Sequence, residues 1–183
     1  MKTSILLATL LALVLLTTIP ASAQYGTKSA KGGTGWILRA GVFFPQGDTI
    51  NSSEFTAGLE YEFPTTKASE KMSTAFSLSA DYTRIKTRET VGTKDATLLP
   101  IFVNIKTKPG AVSSSGFDFG AGIGMYWAMD DIPDMRIDKG LQFAWQLIAD
   151  YNFSKGYMVT ARYLASKNPG DSGLFGLELG YRF

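Results

Sequence analysis

Six charged residues, Arg39, Glu60, Glu62, Arg162, Glu178 and Arg182, sit at alternate positions of segments that are otherwise apolar. In an extended chain alternate positions share one face. Charges of both signs held on the inner face of a narrow closed sheet must pair, because an isolated buried charge is too costly to keep. This set therefore predicts an interior ion-pair network, serving either as static support or as a plug or gate. A second set, Arg84, Lys86 and Arg88, also alternates. Guanidinium and ammonium groups suit phosphate oxygens, so its chemistry would be contact with lipopolysaccharide phosphates, with a solvated loop stem as the equal alternative. Asp130, Asp131, Asp134 and Asp138 lack the spacing of an EF-hand and are interrupted by Pro133; they read as a solvated acidic loop. Gly120, Gly122 and Gly124 do not follow the G-x-G-x-x-G spacing of a nucleotide loop and read as small interior residues.

What is missing narrows the chemistry further. The chain has no histidine and no cysteine. This weighs against histidine-based triads, zinc or haem ligation and disulfide frameworks. No serine has an obvious base, so the expectation is a protein that is not an enzyme and that uses no cofactor or metal. A formal net charge of +2 singles out no nucleic-acid partner. The length of 183 residues suggests one domain.

The elements that must position these charges follow a period of two. Residues 1–23 read first as a signal peptide: Lys2, an apolar run from Ile5 to Leu16, and an Ala21-Ser22-Ala23 cleavage pattern. Residues 24–34 read as a Gly-rich, flexible lead-in, and 35–183 are expected to carry the fold. Strand one sets Trp36, Leu38, Ala40, Val42 and Phe44 against Arg39 and Gly41; strand two sets Phe55, Ala57, Leu59, Tyr61 and Phe63 against Glu60 and Glu62. The last strand sets Phe175, Leu177, Leu179, Tyr181 and Phe183 against Glu178 and Arg182. Five similar segments lie between, the least regular carrying Pro100 and Phe102 on its polar face. Turn-like stretches are expected at 45–53, 64–71, 87–96, 108–115, 129–139, 152–156 and 166–173. The fold class is all-β: eight antiparallel strands of about ten residues, the length that crosses a bilayer when tilted.

Alternation alone does not say which face points inward, since a soluble lipocalin-like barrel alternates too. Two features favour a membrane barrel. The polar face is rich in small residues, as a narrow interior requires. Aromatic residues also gather at both ends of the apolar face, as in the girdles of membrane barrels. Both mature termini are then expected in the periplasm.

The ending LELGYRF resembles the C-terminal strand of bacterial outer-membrane proteins, which implies that Phe183, Tyr181 and Leu179 form a signal read by the barrel assembly machinery. The stretches WILRAGVFFP and FDFGAGIGMYW are similar to the first strand and a middle strand of the OmpW family, within a wider OmpA-like and OmpX-like class. The pattern covers most of 35–183. The OmpW resemblance implies a narrow channel for small solutes, apolar ones among them. The OmpX and OmpA resemblance implies a non-conducting structural or surface-interaction barrel. Expected partners are outer-membrane lipids, lipopolysaccharide and the assembly machinery, with no nucleic acid. The Gly cluster of strand five argues modestly for a local cavity.

Overall fold

The computed structural model describes residues 35–46, 54–63, 72–89, 92–109, 116–131, 138–153, 156–166 and 173–183. The expected signal peptide and lead-in lie outside the described residues. The elements are β1 (Gly35–Gln46), β2 (Glu54–Glu62), β3 (Met72–Glu89), β4 (Gly92–Pro109), β5 (Gly116–Ala128), β6 (Gly140–Asn152), β7 (Tyr157–Ser166) and β8 (Gly173–Arg182). Each strand pairs antiparallel with the next, and β1 pairs with β8 to close an eight-stranded barrel.

The register follows from the alternation. Across β1 and β2, Trp36 faces Tyr61, Leu38 faces Leu59 and Val42 faces Phe55 on one side, while Arg39 faces Gly58 on the other. A slip of one residue would exchange every apolar side chain for a polar one, so the register is strongly specified. The apolar side points outward: Leu179 is 71%, Leu141 66% and Ile123 64% exposed, whereas Arg39 and Arg162 are 1% exposed. At the rim where β1 begins and β8 ends, aromatic rings touch across strands. Trp36 and Tyr61 are 4.9 Å apart, Phe117 and Tyr151 4.8 Å, and Tyr157 and Tyr181 5.0 Å between ring centroids. This end is termed the terminal rim and the opposite end the far rim.

The structure corrects the expected turn at 87–96. β3 and β4 each run for 18 residues, against 9 to 13 for the other strands. They stay paired through Ile85↔Ala96, Lys86↔Asp95 and on to Glu89↔Gly92. Bilayer thickness limits only the spanning part of a strand. Beyond it the β-branched residues Thr83, Ile85, Thr87, Thr93 and Thr97 still favour extended pairing. Pro45 and Gln46 also belong to β1, and Lys108 and Pro109 to β4, rather than to turns.

Side chains fill the interior in two layers. Toward the far rim lies an apolar cluster built on Phe43, Ile85, Leu98, Phe102, Tyr126 and Leu174, all buried. Toward the terminal rim the inward positions carry the charges. Arg162 joins the layers, its guanidinium carbon 5.4 Å from the centre of the Phe43 ring, within the reach of a cation–π contact.

Candidate functional site: the ion network of the lumen

The charged layer is assembled from inward positions of all eight strands. Its middle tier is fully buried. Arg39 Nη1 donates to Glu60 Oε2 at 2.6 Å, and Nη2 donates to Asp81 Oδ1 at 3.4 Å. Arg39 Nε lies 3.5 Å from Glu178 Oε2. Arg162 donates through Nη1 to Asp81 Oδ2 at 2.8 Å and through Nη2 to Glu178. Lys106 Nζ is 2.7 Å from both Glu60 Oε1 and Asp150 Oδ2. The Thr160 hydroxyl donates to the other Asp150 oxygen at 2.7 Å.

The Arg162–Asp81 bridge joins β7 to β3, four strands apart in a ring of eight. That is the widest separation such a ring allows, so the bridge is a strut between opposite walls.

A second tier lies closer to the terminal rim. Lys108 Nζ is 3.2 Å from Glu62 and 3.4 Å from Asp118, Arg182 is 2.9 Å from Glu62, and Asn152 donates to Asp118 at 2.9 Å.

The structure thus brings together all six network residues expected from the sequence. Arg39 meets Glu60, Arg162 meets Glu178, and Arg182 meets Glu62. Five further members, Asp81, Lys106, Lys108, Asp118 and Asp150, were not expected in the network. The contacts of Asp81 with Arg39 and Arg162, of Lys106 with Glu60 and Asp150, and of Lys108 with Glu62 join strands that are not neighbours, a reach that strand order alone does not reveal. Asp118 instead pairs with Lys108 on the adjacent β4, a residue expected from the sequence in a turn.

Glycines make room for these long side chains. Gly58 stands between Arg39 on β1 and Asp81 on β3 in the cross-strand register. A methyl group there would collide with Asp81 Oδ1. Gly122 stands likewise between Asn104 and Gln146, which hydrogen-bond across it at 2.7 Å. The Gly cluster of β5 therefore does not form the cavity anticipated from the sequence. Its space is taken by Asn104 and by Lys106, whose Cγ would lie 2.9 Å from a Cβ at Gly120.

Outside the lumen, Arg84 and Lys86 project outward from β3 just beyond the far aromatic Tyr82. Arg84 is ion-paired with Asp95 on the facing strand, and this carboxylate raises the guanidinium above its ordinary pKa, first by accepting its hydrogen bond. Arg88 pairs with Thr93 along the backbone, and its side chain lies outside the described residues. In the acidic connection between β5 and β6, Asp131 accepts a hydrogen bond from the Lys139 amide at 2.6 Å. No cluster of three or more metal-binding side chains occurs among the described residues. Leu179, Tyr181 and Phe183 alternate outward at the end of the chain.

No family model and no curated protein matches the chain. Solved structures do. The outer-membrane enzyme PagL superposes with a TM-score of 0.62 at 17% identity, covering 80% of this chain and 99% of that one. The outer-membrane protein Ail of Yersinia pestis, determined in phospholipid bilayer nanodiscs, gives a TM-score of 0.52 at 15% identity, covering 82% of this chain and 99% of that one. These likenesses define the fold: an all-β, eight-stranded antiparallel barrel of the kind seen in small outer-membrane proteins.

Proposed function

We propose that this chain is an integral protein of the bacterial outer membrane whose lumen is closed by its own side chains, a structural or surface-interaction barrel of the OmpX and OmpA type. The membrane reading is supported by the inside-out polarity. Large apolar side chains cover the outer wall while Arg39, Glu60, Lys106, Asp150 and Arg162 are buried inside. A soluble barrel would show the reverse, and an apolar surface this continuous would drive aggregation in water. The likeness to outer-membrane folds agrees with it. On this reading both termini face the periplasm.

The observation that carries the closed-lumen reading is the Arg162–Asp81 strut across the full width of the barrel. An eight-stranded barrel has room for little besides side chains, and here the strut, Phe43 and Phe102 occupy its centre. The OmpW-like narrow channel has weaker support, because the small-residue face of β5 is filled by Asn104 and Lys106. With no histidine in the chain, the reading includes no catalytic step and no cofactor.

Lipopolysaccharide phosphates are proposed ligands for Arg84, Lys86 and Arg88, with the condition that a phosphate must compete with Asp95 for Arg84. Leu179, Tyr181 and Phe183 are proposed as the signal for the assembly machinery. The test of closure is ion conductance and small-solute flux through the purified, refolded protein in lipid vesicles. Flux equal to that of protein-free vesicles, with folding verified by heat modifiability on gels, is the expected result. Reproducible flux would replace this reading with the channel.

A further inference from the structure

β3 and β4 leave the barrel wall together. Among the described residues β2 pairs with β3 only as far as Thr56↔Thr83, and β5 with β4 only as far as Leu98↔Ala128. Thr83 and Leu98 face each other, so both neighbours let go at one level. Beyond it residues 84–89 and 92–97 pair only with each other, with one further tie from the Met129 amide to the Thr97 carbonyl at 3.0 Å. Just below that level the β3–β4 ladder skips from Ala80↔Ile101 to Thr83↔Leu98, and the gap contains Pro100, which has no N–H to donate.

A ribbon standing free in water would expose both faces, and this one exposes one. Ile85 and Ala96 are cross-strand partners on its inner face, and both are 0% exposed. They belong to the buried apolar cluster to which β1, β5, β7 and β8 contribute Phe43, Tyr126, Leu164 and Leu174. On the outer face Lys86 and Asp95 are exposed and Arg84 is half-buried. The ribbon therefore lies apolar side down over the far mouth of the lumen.

We infer that residues 84–89 and 92–97 form a hinged lid over that mouth, closed in this structure, which lifts as a unit about the Thr83–Leu98 pair. A two-stranded ribbon is marginally stable by itself, and a segment with few ladder neighbours opens at a lower free energy than the whole fold. Burial of the Ile85–Ala96 pair is what holds the lid down. Lifting it exposes the apolar layer on the far side. The charged layer beneath, with the Arg162–Asp81 strut, stays in place, so the lid can open without opening a path through the barrel.

Hydrogen exchange of the refolded natural protein in lipid vesicles is the first test. The amides of residues 84–89 and 92–97 should exchange together as one block, later than an unstructured chain and well before β3 and β4 below the hinge. Protection equal to that of the barrel wall overturns the lid, and so does the absence of any protection. Single cysteines add a side-chain readout, since the chain has none of its own. In the folded barrel Ile85→Cys and Ala96→Cys should react with a water-soluble thiol reagent at one common rate, at least about tenfold slower than Lys86→Cys. No reaction at Ile85→Cys and Ala96→Cys before unfolding, a rate equal to that of Lys86→Cys, or unequal rates for the two inner positions would contradict a lid that lifts as a unit. The exchange measurement stands even if a variant fails to fold, and neither measurement depends on whether the barrel conducts.

Discussion

The two halves of the lumen solve the same packing problem with different chemistry. Near the far rim Phe43, Leu98, Phe102, Tyr126, Leu164 and Leu174 fill the space by volume. Toward the terminal rim Arg39, Arg162 and Lys106 fill it by pairing, each held to two or more carboxylates. An apolar layer is tolerant, because a side chain of similar size can replace another with little loss. A charged layer is not, because removing one partner strands the other in a dry interior. The far half should therefore accept substitutions by size, and the terminal half should reject them by charge.

The largest effect is expected from Arg162→Met. It keeps much of the volume but leaves Asp81 and Glu178 without their strut, at a cost of about 3–5 kcal/mol. Thermal unfolding followed by heat modifiability on gels measures it. The double variant Arg162→Met/Asp81→Asn should recover part of that loss, and strictly additive costs would show that the strut is not a coupled pair. On the apolar side Leu98→Ala should cost about 2–5 kcal/mol through the cavity it leaves, but Leu98→Met less than about 1.5 kcal/mol. A loss for Leu98→Met as large as that for Arg162→Met would erase the contrast between the halves. Gly58→Ala should cost about 1–3 kcal/mol, since the methyl group displaces Asp81 from Arg39. Pairing Gly58→Ala with Asp81→Asn should therefore reduce that cost. The smallest effect is expected outside the lumen. Arg84 and Asp95 are about two-fifths exposed, at 38% and 40%, so Arg84→Ala should change stability by less than about 1 kcal/mol. Its effect belongs in lipopolysaccharide binding, measured with vesicles containing it.

Strand existence and facing were legible in the sequence because alternation is a local property: Trp36, Leu38 and Ala40 against Arg39 can be sorted without knowing any neighbour. Strand length was less legible. The span of a bilayer suggests where β3 should stop, yet Thr- and Ile-rich pairing carries it to Glu89. The network was half legible. Arg39 with Glu60 and Arg162 with Glu178 follow from adjacent strands, whereas Asp81 to Arg162 and Lys106 to Asp150 depend on the diameter of the closed barrel. The glycines of β5 were misread as empty space for the same reason: what fills Gly122 comes from Asn104 and Gln146 on the strands either side.

The absence of cysteine from the chain allows the closure of the lumen to be tested directly. A single cysteine replacing Ser79, which is 0% exposed and lies inside the charged layer, would report water access at the centre of the barrel. Its rate of reaction with a charged, water-soluble thiol reagent would be compared in folded and unfolded protein. The account predicts reaction only after unfolding. Rapid labelling of the folded barrel in vesicles would show an aqueous path through the lumen and contradict the closed reading.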